Sequence, residues 1–324
     1  MSDLYPWLEP GRDAMTAVID QGRLPHALLL TGQPGLGKGA FATYLAALLL
    51  CENRAGAVDS CGHCPGCLQF KAGTHPDFFL VQPEEDAAVI KVDQIRQLSE
   101  KLFLSSHQGG YQVAVLNPAE TMNLNAANSL LKTLEEPSDN TVLILTSARP
   151  AQLPATVRSR CQQVRIEVPD RQLALDWLQG QGHGEAAQIY LQLAHGAPLE
   201  ALKQAKMDNI SARRERFNAL VGILEHRVSA LTVAQGWSKD EDMQGIRWMR
   251  EWLMDLLRIS MAGQANQVRS ADLQDGLAVL ARRLDSRVMF GLLDRINKTL
   301  RSTAGSLNRQ LMTEDILLAW AAQR

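Results

Sequence analysis

At 324 residues, 46% of them hydrophobic and 21% charged, with a net charge of −2, the chain can bury a sizeable core and divides most naturally into two or three domains. That balance excludes a disordered chain and a protein that coats nucleic acid through bulk positive charge, so any DNA contact must be local. Residues 1–10 lack a basic region, an apolar run and a cleavage site, and the longest apolar stretch, 44–51, falls far short of the roughly 20 residues a membrane helix needs, which predicts a cytoplasmic protein without membrane association.

The first clear element is the apolar run at 26–31, a predicted strand that ends in Gly32-Gln-Pro-Gly-Leu-Gly-Lys-Gly39, with good helix formers following over 40–50. Gly32, Gly35, Gly37 and Lys38 fit the Walker A pattern, in which glycines let backbone N–H groups curl around phosphate and the lysine reaches the terminal phosphates. The next position requires a Ser or Thr hydroxyl to ligate Mg²⁺. It is Gly39.

Cys51 closes that helix, and Cys61, Cys64 and Cys67 follow at two-residue gaps in Cys-Gly-His-Cys-Pro-Gly-Cys. Tight Cys-x2-Cys turns bring sulfurs to one ion, and four thiolates make the closed tetrahedral site of structural Zn²⁺. Such a site leaves no coordination position for substrate or activated water, so catalysis by the metal is not expected. His63 and His75 are rival ligands, but the all-cysteine set is preferred; the fifth cysteine, Cys161, is expected to be a buried packing residue.

Further strands are predicted at 77–81, 112–116, 141–147 and 162–168, with helices at 92–103 and 123–136. The alternation implies a parallel, doubly wound sheet. The second helix places Leu124, Ala127, Leu130, Leu131 and Leu134 on one apolar face, and Pro137 stops it. Where a phosphate-loop ATPase needs carboxylates after a later strand, the run 113–116 enters Asn117-Pro118; Glu120, three residues beyond Asn117, is expected to point elsewhere.

Beyond Pro169 the strand signals nearly vanish and helical periodicity takes over, as at 171–179, 185–194, 246–258 and 287–301. A break at Gly196-Ala-Pro198 and a polar stretch over 203–216 predict a small helical domain followed by a bundle, with the boundary near residue 207. Trp248 and Trp252 read as core, and the basic residues from Arg282 to Arg309 as a solvated helix face.

The phosphate-loop pattern, the four cysteines, Leu130-Leu-Lys-Thr-Leu-Glu-Glu-Pro137, Leu153-Pro154 and Ser159-Arg160-Cys161, in that order, resemble bacterial clamp-loader AAA+ subunits of DNA polymerase III. The resemblance covers about the first half of the chain. It implies an AAA+ parallel-sheet domain over 1–168 with a zinc module at 51–70, a helical lid over 169–206 and a helical collar that joins subunits over 207–324. In this family a second-sensor arginine follows a Gly-Ser-x-Arg pattern; the corresponding residue here is Leu199. With Gly39 and Asn117 this marks a non-hydrolysing, stator-like subunit, although Lys38 leaves ATP binding open.

The same resemblance makes Arg160 a finger acting in trans on a neighbour's ATP, a chemistry suited to a fixed guanidinium. It implies gamma/tau motor subunits and a delta subunit as partners, with the sliding clamp and primed DNA reached through the complex. The chain would have no independent activity within the DNA polymerase III holoenzyme, a nucleotidyltransferase. The rival readings are an active clamp-loader ATPase subunit and a zinc protein that binds DNA directly; the second is opposed by the lack of interleaved basic and aromatic residues around Cys61 to Cys67.

Overall fold

The computed structural model describes residues 4–54, 56–84, 87–104, 106, 109–184, 186–240, 243–262, 268–302 and 308–323. The chain packs as two compact units, one comprising Met1–Asp176 with Ala197–Glu200 and the other Trp177–Gly196 with Ala201–Arg324.

In the first unit, α1 (Glu9–Asp20) leads to β1 (Ala27–Thr31), α2 (Lys38–Leu49), α3 (Pro65–Lys71), β2 (Phe78–Val81), α4 (Val92–Phe103) and β3 (Gln112–Leu116). Then come α5 (Leu124–Glu135), β4 (Thr141–Ser147), the short α6 (Ala155–Arg158) and β5 (Gln162–Arg165). The five strands are all parallel, in the order β2-β3-β4-β1-β5. Strands β1, β3 and β4 are buried at every position, which is why they read as continuous apolar runs rather than alternating ones.

One sheet face carries Leu29, Ala114, Leu116, Leu143 and Leu145 against Ile95, Leu98 and Leu102 of α4 and Ala126, Ala127, Leu130 and Leu134 of α5. The helix α2 lies against β1, β3 and β4. Asn123 caps α5 by accepting from Ala126 N at 2.8 Å, and this start leaves Leu124 66% exposed instead of in the expected apolar stripe. The last strand is shorter than its sequence suggests: Ile166 N still donates to Thr31 O at 2.7 Å, but regular pairing stops at Arg165.

Connections run from β1 outward to β2 and return through β3 and β4, whereas β5 lies on the other side of β1. The crevice outside the carboxyl ends of β1, β3 and β4 is therefore the switch point at which a doubly wound sheet binds ligands. The register Thr31↔Ser147 and Leu116↔Leu145 brings those three ends together.

After β5 the described residues contain no further strand. The helices are α7 (Arg171–Gly180), α8 (Ala187–Leu193), α9 (Pro198–Lys206), α10 (Asn209–Leu224), α11 (Ala230–Trp237), α12 (Gln244–Ala262), α13 (Gln274–Ala281), α14 (Ser286–Ser302) and α15 (Arg309–Ala321). The helix expected from 185 begins at Ala187, and Glu185 itself lies outside the described residues. Trp248 and Trp252 are buried in the core of the second unit with Trp237 and Trp320. Arg213, 2% exposed, bonds Asp272 and Glu251 at 3.1 Å and Ser270 at 3.0 Å, with its guanidinium 5.5 Å from the rings of both Trp248 and Trp252. A buried charge persists only with such compensation.

Candidate functional site

The loop after β1 has the conformation its glycines predict. Gly35 (φ +78°) and Gly37 (φ +87°) occupy the left-handed region that side chains disfavour, and the turn delivers Lys38 to the first position of α2. The ammonium of Lys38 donates to Gly32 O at 2.8 Å and Gln33 O at 2.9 Å, so it is folded back on its own loop. Burial lowers the Lys38 pKa, and the charge of Glu120 opposes that shift.

Other groups of the unit take two further carbonyls of the loop. Trp7 Nε1 donates to Leu36 O at 2.9 Å, and Leu199 N, at the start of α9, donates to Gly35 O at 3.1 Å. A Cβ on Gly35 would come within 2.6 Å of Glu200 N, and one on Gly37 within 2.9 Å of the Tyr5 ring. The loop is thus covered from two directions. Leu199 lies beside it through this bond.

Asn117 begins where β3 ends, and Thr146 Oγ1 of the adjacent β4 donates to its Oδ1 at 2.6 Å. That bond aims the other half of the amide at α2: a Cβ on Gly39 would lie 2.9 Å from Asn117 Nδ2. The two sequence departures are therefore in contact. Where a metal-holding hydroxyl and carboxylate would meet Mg²⁺, a bare Cα faces an amide. Glu120 Oε1 accepts from Ala148 N at 3.0 Å beyond β4, while its Oε2 is buried without a partner.

Arg160 follows α6, its side chain 37% exposed. Its Nη1 donates to Thr156 O at 3.0 Å and reaches Ser159 Oγ at 3.5 Å, while Nη2 pairs with Glu135 Oε1, the last residue of α5, at 2.6 Å. Two opposite charges 25 residues apart carry no periodic signal, so the Glu135 partner was not readable in sequence. Arg158 differs, with its Nε enclosed and without a partner. Cys161 is buried in the apolar core, and burial pushes its thiol up to about 11.

The sulfurs of Cys51, Cys61, Cys64 and Cys67 all lie within 4.8 Å of one another, an arrangement that can hold a metal ion. Cys64 also serves as the N-cap of α3, accepting from Cys67 N at 3.4 Å, and Pro65 follows at the first helical position. Cys61 N donates to Cys51 Sγ at 3.3 Å, and Cys64 N to Cys61 Sγ at 3.4 Å. Backbone N–H groups, His63 N foremost, bring the Cys61 thiol down to about 7, whereas burial pushes Cys67 up to about 12. The donor set fits a thiophilic dication, whose charge would offset the burial of several thiolates.

Neither rival histidine joins this group. His63 Nδ1 lies 2.8 Å from Cys61 O at the surface; His75 Nδ1 accepts from Asp77 N at 3.1 Å. His75 Nε2 is buried without a partner.

The family model described as "DNA polymerase III, delta subunit" matches residues 12–170, and that described as "DNA polymerase III, delta subunit, C terminal" matches residues 207–322. The chain is 34% identical to the DNA polymerase III subunit delta' of Pseudomonas aeruginosa over 99% of this chain and 98% of that one. The Escherichia coli protein of the same description is 35% identical over 97% and 94% of the two chains. That of Haemophilus influenzae is 32% identical over 97% and 96%.

Proposed function

The chain belongs to the delta' family of DNA polymerase III subunits, and from that premise we propose that it is a clamp-loader subunit which does not hydrolyse ATP itself and contributes Arg160 to a neighbour's ATP site. It acts with gamma/tau motor subunits and a delta subunit to place the sliding clamp on primed DNA during replication in the cytoplasm. No helix among the described residues is long and apolar enough to cross a membrane.

The observation that carries this reading is the contact between Gly39 and Asn117. Phosphoryl transfer depends on Mg²⁺ bridging the phosphates, and both groups that would hold it are replaced, by a hydrogen and by a neutral amide already committed to Thr146. The cover over Gly35 supports the same conclusion. Among ring neighbours, an exposed guanidinium can act where the chain's own loop cannot.

The division into an AAA+ domain at 1–168, a lid at 169–206 and a collar at 207–324 belongs to this proposal. So does Zn²⁺ at the four cysteines, which would tie the end of α2 to the N-terminus of α3 and supply structure rather than chemistry. Single-turnover incubation of the purified chain with radiolabelled ATP and Mg²⁺ tests the loss of hydrolysis. Background cleavage alone is expected; cleavage at the rate of an active clamp-loader ATPase would refute it.

A further inference from the structure

We infer that Glu135 is a positioning residue for Arg160, an inference that rests on the reading of Arg160 as a finger acting in trans. The guanidinium is held from two elements. Glu135 at the end of α5 takes Nη2 at 2.6 Å, and the turn of α6 takes Nη1 through Thr156 O at 3.0 Å. Ser159 Oγ, itself donating to Thr156 O at 3.1 Å, lies 3.5 Å from the same Nη1. The Nε–H takes part in none of these bonds and is left for a phosphate oxygen, so the arrangement orients the group without using up its donors.

Two physical points separate orientation from mere folding stability. The side chains of Arg160 and Glu135 are 37% and 49% exposed, and an ion pair so accessible to water adds little to the stability of the fold. Moreover, Glu135 stands at the last position of α5, where the helix dipole disfavours a carboxylate. A charge at this poor position gains by having a cation beside it, and the cation gains a fixed direction. Arginine carries large rotamer freedom, so fixing it in the free subunit removes an ordering cost from the reaction step.

The inference makes Glu135 act only through Arg160. It also opposes a second reading of the same contact, in which the carboxylate is a latch that withholds Arg160 from the neighbour's phosphate. The two differ in sign. Loss of a positioning carboxylate slows hydrolysis, and loss of a latch speeds it.

The test reconstitutes the full clamp loader with Glu135→Ala, Glu135→Gln, Arg160→Ala and the double variant Glu135→Ala/Arg160→Ala, measuring assembly by size exclusion and kcat and KM for DNA-stimulated ATP hydrolysis. Glu135→Ala is expected to lower kcat roughly three- to tenfold with KM and assembly unchanged. Glu135→Gln, which keeps an acceptor oxygen, is expected to retain at least about half the activity, and Glu135→Ala to add nothing in the Arg160→Ala background. An unchanged or raised kcat in Glu135→Ala, beside a lowered one in Arg160→Ala, would overturn the positioning role alone. A loss that follows loss of assembly would overturn it as well. An unchanged kcat in Arg160→Ala would remove the trans reading beneath it.

Discussion

The ammonium of Lys38 is satisfied by the carbonyls of Gly32 and Gln33. Asn117 is settled in the same way, with its oxygen on Thr146 and its nitrogen against Gly39. Sequence exposed both replacements, because each stands at a fixed offset from a motif. It did not expose that they touch, since the contact depends on the end of β3 lying beside the start of α2. A Gly39→Ser side chain must displace the Asn117 amide and weaken its bond from Thr146, a loss of about 1 kcal/mol. Urea unfolding should therefore show a less stable protein, with no gain in ATP cleavage. A more stable Gly39→Ser protein would contradict the packing.

Elements were legible wherever one force decided them. The buried runs of β3 and β4 and the amphipathic α4 occupy the residues their patterns predict, Gln112–Leu116, Thr141–Ser147 and Val92–Phe103. Ends set by tertiary partners were less legible, as at β5, where the apolar residues beyond Arg165 do not continue the regular pairing with β1. The helix α3 escaped notice because its cap is a metal-ligand type, Cys64, rather than Ser or Asp.

That double use offers a clean test of the metal site. Cys64→Ser retains a good helix cap while removing one thiolate. Metal analysis should find about one zinc in the parent chain and well below that in Cys64→Ser, with faster hydrogen exchange at residues 51–71. Full zinc retention would argue against the four-cysteine site. Protons compete with zinc for the thiolates, and Cys67 in particular is pushed up to about 12 without an ion, so acidification from neutral pH should weaken binding. An affinity that rises as pH falls would have the wrong sign.

At the scale of the molecule, alternating strand and helix signals followed by helices alone were enough to place a parallel sheet before a helical remainder. In the helical unit, the buried cation Arg213 was not legible in sequence. Arg213 sits among Trp248, Trp252, Asp272 and Glu251, a set drawn from distant segments. On the proposed reading, function at this scale belongs to an assembly, in which Arg160 would serve another chain's nucleotide. The most direct measurement is DNA- and clamp-stimulated ATP hydrolysis by the reconstituted clamp loader carrying Arg160→Ala, compared with the parent at matched assembly. A fall of at least about tenfold is expected, a conservative bound against the roughly 10³–10⁵-fold that such arginines contribute to phosphoryl transfer. An unchanged rate in a fully assembled complex would contradict it.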